Sequence, residues 1–153
     1  MKALTEGLAA IALTMWVGGL WAIGYIAAPS LFANLPADRA LAGTLAGKLF
    51  TLISYVGIVC AGYLLLYRLM RMGGSALKQA TFWVIVLMLV LVVAGQFYVQ
   101  PILESLKSQA LPLQVMESVF RDRFRVGHGV SSILYLIVSL LGALLVWLGA
   151  RSR

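Results

Sequence analysis

Lys48 and His128 are ionisable residues set beside or within apolar runs, where chemistry inside a membrane first becomes a question. His128 is the only histidine in the chain, and it could ligate haem or a metal ion, or pass protons near neutral pH. A metal centre needs further ligands, and no Cys, His or acidic cluster accompanies it. Of the 6 Met residues, only Met15 and Met88 lie deep in apolar runs, without the spacing of a copper site. The expected cofactor is therefore none, with His128 the single candidate ligand should haem or a metal be held. Lys48 can snorkel towards an interface along its own stem. Gln96 and Gln100, four apart, share a helix face and can bond across helices. No nucleophile–base–acid arrangement, phosphate-binding loop or intramembrane carboxylate pair occurs, so an enzyme reading has little to stand on.

Composition dictates the elements that must position these residues. Of 153 residues, 62% are hydrophobic and 11% charged, with a mean hydropathy of +0.98. So few charges could not cover a water-soluble globule of this size. One Cys and 4 Pro fit neither a disulfide scaffold nor a collagen, and the hydrophobicity excludes a disordered chain. The net charge of +7 would suggest nucleic acid in a soluble protein. Here the cations flank apolar runs, where anionic headgroups act on them, so the expected partner is the lipid bilayer and not nucleic acid. Cys60, alone in an apolar run, is expected to pack as a small hydrophobe.

Four apolar runs are each long enough to cross a bilayer core of about 30 Å as helix. The expected fold is all-α, an integral membrane four-helix bundle running up-down-up-down as a single membrane domain, 1–153. Its spans are placed at approximately 8–33, 47–69, 80–100 and 128–150. The first run exceeds the roughly 7–15 residues of a signal h-region and reads as a retained helix, bent or ending near Pro29. The second could begin as early as Pro36, and Pro101 should kink or stop the third. Met116, Phe120 and Phe124 form one row at helical spacing, and Glu117, Arg121 and Arg125 form another. A helical hairpin over Pro101–Val126 is thus expected to protrude between spans three and four. It offers a surface to a protein partner or lipid headgroups. With only four helices to enclose volume, a homodimer is a further expectation.

Orientation is nearly balanced. The 12 Lys and Arg residues divide evenly between the two sides. Lys2 precedes the first span, however, and Arg68, Arg71 and Lys78 crowd one short loop, which places the termini in the cytoplasm. Trp83, Trp147, Tyr63 and Tyr67 fall near that face as an aromatic belt. The expected location is a bacterial inner membrane, crossed several times.

Polar residues collect at the opposite end. Ser30 comes from span one, Lys48, Thr51 and Ser54 from span two, Gln96 and Gln100 from span three, and His128, Ser131 and Ser132 from span four. Small and hydroxyl stripes are expected to turn inward: Glu6-Ala10-Thr14-Gly18-Ala22, Thr44-Gly47-Thr51-Ser54-Ala61 and His128-Ser132-Tyr135-Ser139-Gly142. The predicted ligand site is a vestibule lined by Ser30, Lys48, Thr51, Gln96, Gln100, His128 and Ser132, with no catalytic residues.

Several of these positions also carry a likeness. They are Trp16-Val17-Gly18-Gly19, Ala28-Pro29-Ser30-Leu31-Phe32, Ala42-Gly43, Gly47-Lys48-Leu49-Phe50, Gln96 with Tyr98 and Pro101, and Gly127-His128-Gly129 with Ser131-Ser132. In this order and spacing the chain resembles, over nearly its whole length, a family of small bacterial membrane proteins catalogued as a domain of unknown function. Its eukaryotic relatives are the transmembrane protein 205-like proteins. The resemblance implies four helices and no established activity. A weaker similarity is to copper-resistance-type and haem-associated membrane proteins with comparable Trp-Gly-Gly helices. The function expected is binding or moving a small polar or amphipathic ligand through the vestibule. The alternatives are haem or metal handling through His128, and a structural or assembly role in the membrane.

Overall fold

The computed structural model describes residues 2–110 and 117–151, without the side chains of 2, 39, 106–110, 117–125 and 128. Its helices are α1 (Lys2–Trp21), α2 (Ala28–Asn34), α3 (Arg39–Met72), α4 (Ala80–Ala94), α5 (Gln100–Ala110) and α6 (Glu117–Arg151). Four stretches are apolar and long enough to cross a membrane: Ala3–Asn34, Ala40–Lys78, Ala80–Ser105 and Gly129–Arg151. Span one packs on two, two on three, three on four, and four returns to one. The architecture is an all-α membrane bundle.

Pro29 and Pro101 do not end their helices. Ala22–Ala27 and Gly95–Val99 are π-helical, and the chain stays helical through Pro29 and Pro101. A proline lacks an amide, and its ring crowds the carbonyl four residues back. Those carbonyls belong to Tyr25 and Phe97, one inside each π segment. The wider turn shifts the bonding by one residue, so Ala28 N–H reaches the Ile23 carbonyl and Gln100 N–H reaches that of Gly95. Of the expectations that span one bends or ends near Pro29 and that Pro101 kinks or stops span three, the endings are excluded, and each proline is preceded by a wide turn.

Span two begins neither at Gly47 nor at Pro36. Asp38 caps α3, its carboxylate accepting from Leu41 N–H at 2.9 Å. The helix then runs 34 residues, about 51 Å at 1.5 Å per residue, well beyond a bilayer core. Gly73, at φ +55°, supplies the left-handed backbone that ends it. Helix α6 runs 35 residues, so the segment before span four joins it without a break. Helix α5 packs on α6. The rows Met116–Phe120–Phe124 and Glu117–Arg121–Arg125 lie outside the described side chains.

Helices in lipid associate through close packing more than through hydrophobic driving force. Trp16, fully buried, lies on the backbone of Gly57, where a Cβ would sit 2.5 Å from its Nε1. Leu20, Ile53, Ile85, Met88, Val138 and Leu145 complete the centre. This corrects one stripe. Glu6, Thr14, Gly18 and Ala22 face outward, while Ala9, Trp16 and Leu20 face in. The large aromatic takes the interior because a glycine on the facing helix leaves room for it.

Candidate functional site

The π segment of span one is built around a side chain from span four. Tyr135 donates its hydroxyl to the Leu20 carbonyl, and its ring and hydroxyl lie against the backbone of Gly24. An α-helix would pair that carbonyl with the Gly24 amide, so the tyrosine hydroxyl competes for it. A side chain inserted in the ladder is a recognised cause of local distortion. Only glycine fits at residue 24, because a Cβ there would lie 2.2 Å from a ring carbon of Tyr135.

Aromatic rings surround this junction. Phe50 meets Tyr135 edge-on at 5.0 Å between centroids, and Tyr25 bridges to Trp21 at 5.7 Å and to Tyr135 at 6.4 Å. Trp21 Nε1 donates to the Ser139 carbonyl at 3.4 Å. The π segment of span three stands level with this cluster. Gly142 meets Met88, and Gly127 meets Leu103; that antiparallel register sets Gln96 beside Leu134.

Gln96 Oε1 is buried and has no hydrogen-bond partner among the described residues, and the same holds for Ser139 Oγ and Trp16 Nε1. Buried polar atoms without partners are uncommon in native folds. By register these three lie at successive depths, from the Gln96 level towards the bundle centre at Trp16.

The seven vestibule residues do not all face one space. Ser30 and Lys48 are exposed, and the Ser30 carbonyl accepts from the Asn34 side chain at 2.8 Å. Ser132 is exposed, whereas Thr51, Gln96 and Gln100 are half-buried. Ser54 returns its hydroxyl to the Phe50 carbonyl at 2.8 Å. His128 is on α6, one turn before Ser132, and its side chain lies outside the described residues. Among the described residues no group of three His, Cys, Asp or Glu could hold a metal ion. Sequence reasoning named Tyr135 only as one of a stripe and missed Trp21, Tyr25 and Phe50. The available signal was a glycine four residues before Ala28-Pro29 in a span rich in aromatics.

The other end of the bundle carries cations and aromatics together. Arg151 stacks on Trp147 at 4.5 Å, Trp83 Nε1 donates to the Leu77 carbonyl at 2.9 Å, and Arg68 donates to Gln79 Oε1 at 2.9 Å. Arg71 donates to the Tyr67 hydroxyl and pairs with Glu6. This is the composition of an interfacial belt.

A family model described as "Domain of unknown function (DUF4149)" matches residues 11–112. It takes in Trp16, Gly24, Phe50, Gln96, Pro29 and Pro101, and stops before the fourth span. Comparison with curated proteins and with solved structures finds no match.

Proposed function

We propose a function from one premise: the chain belongs to the DUF4149 family, whose model covers most of it. The protein is a multi-pass protein of a bacterial inner membrane, with cytoplasmic termini, that binds or moves a small polar or amphipathic ligand at its polar end. Kinship with the transmembrane protein 205-like proteins belongs to the same proposal. The observation that carries it is Gln96 Oε1, buried inside a π segment without a partner among the described residues. Such turns interrupt the regular ladder and occur often at functional sites. Lys48 stands exposed at the Gln96 end.

The test is to compare the small molecules extracted from gently purified wild-type and Gln96→Leu protein by mass spectrometry. The expected outcome is a compound retained by the wild type and lost from the variant, with the variant's thermal stability unchanged or raised. Identical extracts would count against a ligand at this level. In a strain where deletion has a phenotype, silent substitutions of Lys48, Gln96 and His128 alike would reduce the polar end to packing.

A further inference from the structure

A second feature lies on the lipid-facing side, at the end opposite the polar residues. Helices α1 and α3 diverge there around a groove of about 580 Å³, lined by Leu8, Ile11, Met15, Tyr55, Val59 and Tyr63. Its lining is almost wholly apolar. Along α3 it extends from Tyr55 to Tyr63, about 12 Å at 1.5 Å per residue. One leaflet of a bilayer core is about 15 Å deep. The groove therefore has the depth of a single leaflet, which suits an acyl chain. A helix from a second copy would need a seat running the full membrane thickness.

Beyond Tyr63 the same face of α3 becomes polar. Tyr63 stacks on Tyr67, and Arg71 lies over the Tyr67 ring with its centroid 5.9 Å away. Arg71 is exposed and paired with Glu6, and that is the one ion pair among the described residues. Around it Arg68, Lys78 and Arg151 leave this end clearly positive. A guanidinium has five donors in a fork that matches phosphate oxygens, and two contacts to Tyr67 and Glu6 do not exhaust them. We propose that the groove holds one acyl chain of an anionic phospholipid from this leaflet, with Arg71 binding its phosphate. The inference is independent of the ligand proposed at the polar end.

The test uses the full chain, purified in detergent, exposed to mixed phosphatidylglycerol and phosphatidylcholine vesicles, and re-isolated for lipid counting by mass spectrometry. The wild type should retain phosphatidylglycerol above its share of the vesicles. Val59 is 71% exposed, so Val59→Trp fills the groove without entering the core and should abolish that enrichment. Arg71→Gln should reduce retained phosphatidylglycerol about tenfold relative to phosphatidylcholine, whose choline ammonium offsets the phosphate charge, as loss of a charge-assisted bond implies. Glu6→Gln releases the guanidinium from its carboxylate and should raise retention. Both lipids retained in their bulk ratio would overturn the proposal, as would enrichment surviving in Val59→Trp. A wild-type dimer that Val59→Trp dissociates without changing lipid retention would place a second copy in the groove and overturn it too.

Discussion

Tyr135 occupies the space that Gly24 leaves by having no side chain. Its hydroxyl then donates to the Leu20 carbonyl, one helical turn before Gly24. This joins spans one and four at the level where span one widens into a π turn, with Phe50 and Tyr25 against the ring. The junction also explains how span one continues through Pro29: the bonding register has already shifted before the proline removes an amide.

Tyr135→Phe should destabilise the protein by about 1 kcal/mol, the net worth of one hydrogen bond. Gly24→Ala should cost about 1–3 kcal/mol, because the new methyl overlaps the ring. Gly24→Ala and Tyr135→Ala should be strongly non-additive: once Tyr135 is cut to Ala, Gly24→Ala should cost little. Denaturant unfolding in detergent, read by tryptophan fluorescence, measures the wild type, the three single variants and the double variant. Additive losses would mean that the two residues do not share one contact.

Glycines should divide by what faces them. Gly57→Ala places a methyl against Trp16 and should cost about 1–3 kcal/mol. Gly18→Ala and Gly62→Ala meet nothing within 4 Å, and should be neutral or stabilise by roughly 0.5–1 kcal/mol, as expected for glycine replaced within a helix. Thermal unfolding checks the ranking. A costly Gly18→Ala would restore the stripe Glu6-Ala10-Thr14-Gly18-Ala22 to the interior.

Ser139→Ala removes a buried hydroxyl that has no partner among the described residues. Its stability should stay level or rise by up to about 1 kcal/mol, since a buried unsatisfied group carries a desolvation penalty. If Ser139 instead holds part of the fold together, the midpoint of unfolding should drop.

Orientation can be read with a single label. Cys60 is the one cysteine, so Gly74→Cys in a Cys60→Ser background gives a unique thiol in the short turn between spans two and three. With cytoplasmic termini, a membrane-impermeant maleimide should label it only after the cells are opened. Labelling of intact cells would invert the bundle. The interfacial pair is a minor contributor to stability in either orientation. Arg71 and Glu6 are 51% and 47% exposed, and Glu6→Gln should change stability by less than about 1 kcal/mol.

The four crossings were legible because hydrophobicity over bilayer-length segments requires no tertiary information. The aromatic and cationic belt was legible for a related reason: Trp, Tyr and Arg gather at interfaces whatever their helix packs against. The polar end was legible in part. Gln96 could be placed on its helix, but whether its amide has a partner depends on three other helices. Lys48, Ser30 and Ser132 are exposed in the bundle, and those outward directions are set by helix rotation, which one chain's pattern does not reveal.

The sequence by itself determined the all-α class and the number of segments long and apolar enough to cross a membrane. These depend on length and composition along one chain. Only the tertiary structure decided that Trp16 points inward over Gly57, that Gly18 points out, and that Pro29 and Pro101 are absorbed by π turns. The reason is physical. A helix in lipid can rotate about its axis at little hydrophobic cost, since its apolar faces are equally content against lipid or protein. Its orientation is fixed by the few places where a large side chain meets a glycine on a neighbour, and those pairings, Trp16 with Gly57 and Tyr135 with Gly24, join residues far apart in sequence.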